Sequence, residues 1–176
     1  NPTLIKNYND LFPSLSLSYA INDDENLNLS FGKNIIRPYY RILQPFEQKV
    51  SETSSYIGNE NIDPIYATSL NLSYLRKMDK ITFSPSLFYT KYNDFWEDVT
   101  YETGELINGI EKIVTTPFNV GKVNRYGLNI TTEIKTSNTL SFTGNILLYD
   151  FDQSGTFEII NSNNESIRKI NDKNTI

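Results

Sequence analysis

The chain has 176 residues, 21 acidic and 16 basic side chains, a formal net charge of -5, and neither histidine nor cysteine. Disulfides, thiolate nucleophiles, imidazole bases and the usual zinc sites are therefore excluded, and an acidic chain with no basic run is not built to bind nucleic acid. The length suits one domain or a piece of one, and 2 Ala against 22 Asn, 16 Ser, 16 Thr, 20 Ile and 12 Tyr point to an all-β fold.

Period-two alternation, apolar on one face and small polar on the other, marks six strands in chain order. The first sets Leu15, Leu17, Tyr19 and Ile21 against Ser14, Ser16 and Ser18, and a tight polar turn at Asp23 and Asp24 follows. The second sets Leu27, Leu29 and Phe31 against Asn28 and Ser30, and a long connection over roughly 34–66 leads to the third, with Leu70, Leu72 and Tyr74 against Ser69, Asn71 and Ser73. After a short turn at 76–80, the fourth sets Ile81, Phe83, Leu87 and Tyr89 against Thr82, Ser84 and Ser86. Pro85 inside it predicts a bulge or kink, because proline cannot donate to the ladder. A second long connection is expected over 93–120. The fifth strand sets Tyr126, Leu128, Ile130 and Ile134 against Gly127, Asn129, Thr131 and Glu133, and the sixth, after a short turn at 136–139, sets Leu140, Phe142, Ile146 and Leu148 against Ser141, Thr143 and Asn145. Beyond Asp150 the chain reads as polar loop running into 161–165, with at most one more strand near 158–160 or 167–170.

Each run is close to the ~9–11 residues that a tilted strand needs to cross a hydrocarbon layer. No stretch approaches about 18 consecutive apolar residues, which excludes a spanning helix but not a spanning barrel. Alternation alone leaves two architectures open, a soluble sandwich with the apolar face inward and a membrane barrel with that face toward lipid. Three features favour lipid. The polar faces are small and uncharged, where a soluble sheet carries more Lys and Glu; short and long connections alternate; and Tyr89, Tyr92, Phe95 and Trp96 gather at a strand end as an interfacial girdle would.

The run Tyr8-Asn9-Asp10-Leu11-Phe12-Pro13-Ser14-Leu15-Ser16-Leu17-Ser18-Tyr19 resembles one in Bacteroidetes-type outer-membrane β-barrel proteins related to TonB-dependent receptors. Arg37-Pro38-Tyr39-Tyr40 with Leu43, Pro45 and Phe46, then Gly58-Asn59 to Asp63-Pro64-Ile65-Tyr66, then Asn119-Val120-Gly121-Lys122 with Tyr126-Gly127-Leu128, resemble that family's motifs in the same order, while Gln44, Glu60 and Ile62 depart from them. The resemblance implies that residues 1–176 are one partial barrel domain in the cell outer membrane. Its expected form is an open, antiparallel up-and-down meander of about six to seven strands from a large transmembrane β-barrel, with short turns on one side and long loops on the other. It also implies nutrient uptake without catalysis or cofactor, a plug domain, an inner-membrane energising complex, outer-membrane lipid as surroundings, and room for a surface lipoprotein partner. The alternatives are a secreted carbohydrate-binding β-sandwich, which fractionation would distinguish, and a passive porin-like channel, which differs by lacking a plug.

On this reading Leu15, Leu29, Leu72, Phe83, Ile130 and Phe142 face lipid, and Ser16, Asn28, Asn71, Ser84, Asn129, Thr143 and Glu133 face the lumen. Arg37, Tyr39, Tyr40 and Arg41, with Trp96, are the candidate ligand contacts, because guanidinium groups among aromatics suit an anionic or sugar-like ligand. The competing role for the same residues is to pack a long loop on itself. Asp94, Glu97, Asp98, Glu102 and Glu105 read as a solvated acidic loop, since the spacing matches no calcium loop and supports no glycosidase pair. No catalytic residue and no metal site is expected.

Overall fold

The computed structural model describes residues 10–137, 139–160 and 166–175, with side chains from 10 through 155 apart from 138. Its elements are β1 (Ser14–Asn22), β2 (Glu25–Ile36), a one-turn helix α1 (Tyr40–Leu43), β3 (Glu47–Lys49), β4 (Ser54–Ile57), β5 (Ile65–Lys77), β6 (Ile81–Ile107), β7 (Ile110–Lys135), β8 (Ser141–Ile160) and β9 (Ser166–Thr175). Strands β1, β2, β5, β6, β7, β8 and β9 pair antiparallel in that order in one open sheet, so the six alternating runs form the expected meander and β9 adds a seventh strand.

The register stacks like on like. Leu17, Leu29, Leu72, Leu87, Leu128 and Leu148 form one row across six strands, and Ser18, Asn28, Ser73, Ser86, Asn129 and Leu147 form the adjacent row on the other face. A one-residue slip would place leucines among serines, so the pattern fixes the pairing. The apolar face is bare, with Leu15, Leu17, Leu87 and Leu148 between 54% and 60% exposed. The polar face is tied by cross-strand hydrogen bonds. Ser18 Oγ donates to Asn26 Oδ1 (3.1 Å), and Asn145 Nδ2 donates to Asn129 Oδ1 (2.6 Å) and Thr131 Oγ1 (2.9 Å).

The apolar rows also step around the sheet. On β2 and β5 they end at Leu27 and Tyr74, with the ion pair Glu25–Arg76 next, whereas β6, β7 and β8 carry them two rows further, to Ile81, Ile134 and Phe142. In a barrel the strands tilt, so ladder rows run oblique to its axis and a level apolar belt has to step between them.

Three expectations fail. The 93–120 connection is not a loop: β6 and β7 continue to a two-residue turn in which Asn108 and Gly109 hold φ of 53° and 79°. That is the geometry an Asn-Gly pair favours, because its twist matches the flanking strands. At 27 and 26 residues, the two strands reach roughly 50 Å beyond a membrane-crossing length. Likewise β8 runs on to Ile160 and pairs with β9, so the stretch after Asp150 is strand; the loop expected at 161–165 lies outside the described residues. Pro85 makes no bulge either. Register is unbroken from Phe83 to Ser86 against β7, and only the rungs of Tyr74 and Leu75 are missing from the β5 ladder. The irregularities of this ladder lie higher, between Tyr92 and Trp96, where Asp94 holds φ 56° and Gly121 opposite holds φ 122°, and again between Glu102 and Leu106.

Gly121 and Gly155 meet backbone to backbone where β8 leaves β7. A Cβ on Gly155 would strike the Val120 carbonyl, and one on Gly121 the Ser154 carbonyl. Gly155→Ala is therefore expected to destabilise the folded protein by about 1–3 kcal/mol. Gly144→Ala, where nothing lies within 4 Å, should be neutral or mildly stabilising. Urea unfolding of the two variants side by side checks the contrast.

Candidate functional site

Residues 37–64 leave β2 and return to β5, yet they do not stand free. The segment turns through α1, whose Ile42 is 1% exposed, and forms the β3–β4 hairpin; β4 then adds parallel to β7, with Ser54, Ser55 and Tyr56 opposite Ile113, Val114 and Thr115. That edge is open to β4 because β8 pairs with β7 only from Lys122 to Lys135. To reach it the segment crosses the sheet as a strap. Ile65, Ala67, Val123 and Gln153, on the face of Ser69 and Asn129, are buried at this end. The strap thus covers the upper part of the polar face, while the leucine face stays open.

Three fastenings hold it. The Asp63 N–H donates to Asn119 Oδ1 (2.9 Å), and Asn119 Nδ2 donates to the Asp63 carbonyl (3.1 Å) and the Asp94 carbonyl (2.6 Å). Asn59 Nδ2 donates to the Pro117 carbonyl (3.1 Å), and its N–H to the Ile42 carbonyl (2.7 Å). At the outer end Lys112 Nζ joins Glu47 (2.8 Å) and Glu105 (3.4 Å), and Ser55 Oγ donates to Glu47 (2.6 Å). The Lys112 ammonium and then the Ser55 hydroxyl hold the Glu47 carboxyl below its ordinary 4.5. Glu47 in turn holds Lys112 above its ordinary 10.5, against the opposing effect of burial. Gly58 lies where any Cβ would meet the carbonyls of Arg41, Ile42 and Gln44, so the strap's own fold requires glycine there.

The candidate contacts divide into two groups. Tyr39 meets Trp96 edge-on at 6.3 Å between ring centroids, and the Arg41 guanidinium lies 4.6 Å above the Tyr56 ring, whose hydroxyl reaches Asp98 (3.5 Å). Burial, and then the Asp98 charge, push the Tyr56 hydroxyl up from its ordinary value of 10.0. Tyr39, still 58% exposed, touches Trp96 of β6, Arg41 stacks on Tyr56 within the strap while staying exposed, and Arg37 and Tyr40 face solvent. The acidic residues 94–105 are on a strand rather than in a solvated loop, and Asp98 and Glu105 have partners there. No cluster of three metal-ligating side chains occurs among the described residues. Sequence reasoning found Asn59 and Asn119 only as parts of family-like motifs, with no role, and passed over Lys112, because their bonds depend on a long-range crossing that no local period encodes.

The whole chain, residues 1–176, matches the model of a family described as "Outer membrane protein beta-barrel family". The chain belongs to that family. Its sheet superposes on the siderophore receptor PirA from Pseudomonas aeruginosa with a TM-score of 0.66 at 16% identity, over 84% of this chain and 30% of that one. A mutant of the ferric enterobactin receptor PfeA from the same organism, in complex with enterobactin, gives 0.59 at 16% identity, over 83% and 25%. At this identity the likeness is one of fold, and the chain spans less than a third of either receptor's length. No curated protein matches it. The segment is thus a partial outer-membrane barrel, in agreement with the resemblance to TonB-dependent receptors.

Asn119→Ala removes the central fastening and leaves the Asp63 amide and two carbonyls without it, which should loosen the strap by about 1–3 kcal/mol. Hydrogen exchange at the Ser54–Tyr56 amides should then quicken roughly ten- to hundredfold. The ion triad adds a pH window. A depressed carboxyl stabilises fully above its unfolded value and loses that contribution as pH falls through its folded one; a raised ammonium does so below its unfolded value and loses it as pH rises. Exchange at the same amides, corrected for intrinsic rate, should be flat between 4.5 and 10.5 and accelerate on either side.

Proposed function

We propose that this segment is wall and outer rim of a receptor that takes up a nutrient ligand across the outer membrane, with no catalysis and no cofactor. The observation that carries the reading is the bare leucine row backed by a hydrogen-bonded Ser and Asn row, since a soluble sheet would bury the leucines. Leu15, Leu29, Leu72, Phe83, Ile130 and Phe142 then contact lipid. Ser16, Asn28, Asn71, Ser84, Asn129, Thr143 and Glu133 line the lumen, where the Glu133 charge costs little compared with lipid. The strap stands in the outer mouth and presents the exposed Arg37, Tyr39, Tyr40 and Arg41 to ligand, with Trp96 against Tyr39. Uptake calls for the rest of the wall, a plug domain and an inner-membrane energising complex, as the family resemblance implies. The siderophore receptors that share the fold point to a chelate-sized ligand rather than a small solute.

Leu72→Arg should cost about 2–4 kcal/mol of folding stability in a bilayer, and Asn71→Arg, its neighbour in sequence, near zero; equal costs would overturn the assignment of faces. Cysteines at Ser16, Asn71 and Asn129 should react with a water-soluble maleimide and those at Leu29 and Phe142 should not, so the reverse pattern would invert the wall.

A further inference from the structure

Resting on the reading of the polar face as lumen, we propose that Arg125, with Tyr149 and Gln153, forms an anion-binding subsite on the wall just below the strap, suited to a planar carboxylate. Arg125 stands on β7 between Thr90 of β6 and Phe151 of β8, on the face of Asn129. Its guanidinium lies 4.3 Å above the Tyr149 ring. Gly127 between them makes this arrangement feasible, because a Cβ there would run into the Phe88 ring and the β8 backbone.

No acidic side chain pairs with Arg125 among the described residues. Its Nε and the Nε2 of Gln153 are buried without hydrogen-bond partners, and Gln153 is 3% exposed. Buried donors of this kind are ordinarily satisfied, and a guanidinium all the more so. The aromatic face attracts the charge but accepts no strong hydrogen bond. Gln153 lies opposite Val123, one rung above Arg125 on the same face, which places the two donors' Cβ atoms roughly 5–8 Å apart. Two unsatisfied donors, one of them charged, one rung apart beneath a cover, describe a site for an acceptor that brings negative charge. The fork of a guanidinium matches a carboxylate bidentately where an ammonium cannot, and the Tyr149 and Phe88 rings add flat surfaces for a planar ligand.

The test uses the full-length protein in detergent micelles, with benzoate as probe and benzamide as its neutral counterpart, titrated by saturation-transfer NMR. Benzoate should bind the wild type more tightly than benzamide does. R125Q should weaken benzoate by about tenfold or more, the loss of one charge-assisted bond, and leave benzamide unchanged. R125K keeps the charge without the fork and should give a partial loss, which carries the test if R125Q does not fold. Equal benzoate affinity in wild type, R125K and R125Q overturns the subsite, as does a wild type that does not prefer the anion. Labelling Asn129→Cys with the water-soluble maleimide separates the two levels. A labelled cysteine with benzoate binding unaltered by the Arg125 substitutions refutes the subsite alone, and an unlabelled one refutes the lumen on which it rests.

Discussion

The backbone ladder from β1 to β9 is the constraint on which the rest depends. In hydrocarbon no water can satisfy a peptide group, and each one left unpaired costs several kcal/mol. The placement of irregularities follows from that cost. Within the apolar rows the breaks among the described residues are at Ile21, beside the β1–β2 turn, and at Pro85, where the missing rungs against β5 occur without a shift of register. The β6–β7 register shifts lie between Tyr92 and Trp96 and between Glu102 and Leu106, with the left-handed Asp94 and Gly121 at the first of them, all above the last leucine row. Side-chain period two then gives each strand two solvents at once, hydrocarbon on one face and polar neighbours on the other.

Above the belt the constraint relaxes, and the fold changes character. There β8 parts from β7 through the close Gly121–Gly155 contact, and the freed edge of β7 is taken by β4 in the only parallel pairing among the described strands. Ordering the strap's 28 residues, 37–64, costs conformational entropy on the order of 1–2 kcal/mol each. Buried Ile42, Ile62 and Pro64 and the Asn59 and Asn119 amides are what offset it. An amide suits this task because one Asn can accept a backbone N–H while donating to two carbonyls, which no hydroxyl or carboxylate does.

How far the sequence foretold this follows from which interactions are local. The meander, its register and its short turns were legible because the leucine rows at 15–21, 27–31, 70–74 and 126–134 alternate with Ser and Asn at a period only a strand can use. The β6–β7 extension was legible in principle, since Asn108-Gly109 is a strong hairpin signal. It was masked by the acidic residues at 94–105, whose charge reads as loop although Asp98 and Glu105 have phenolic and basic partners on the strand. Pro85 misled in the opposite direction, because one missing donor removes rungs without requiring an inserted residue. The strap was legible only as a long loop that packs on itself, not as a crossing of the sheet. Its helix, its parallel strand and the role of Asn119 arise from a crossing between residues some 56 positions apart, and nothing near Asn119 in sequence marks that partner.

The strap also explains why residues of the same type take different parts. Arg37, Tyr39, Tyr40 and Arg41 are all exposed, yet Arg41 and Tyr39 also rest on Tyr56 and Trp96. A one-turn helix with Ile42 buried beneath it turns its neighbours outward, so Ile42 anchors a compact aromatic and basic motif that stays at the surface. Side chains held in this way have less freedom left to lose than those of a free loop, which is the general condition for preorganised recognition. A flexible loop carrying the same Arg and Tyr would hold them less firmly, so the buried isoleucine fixes where the exposed guanidinium stands.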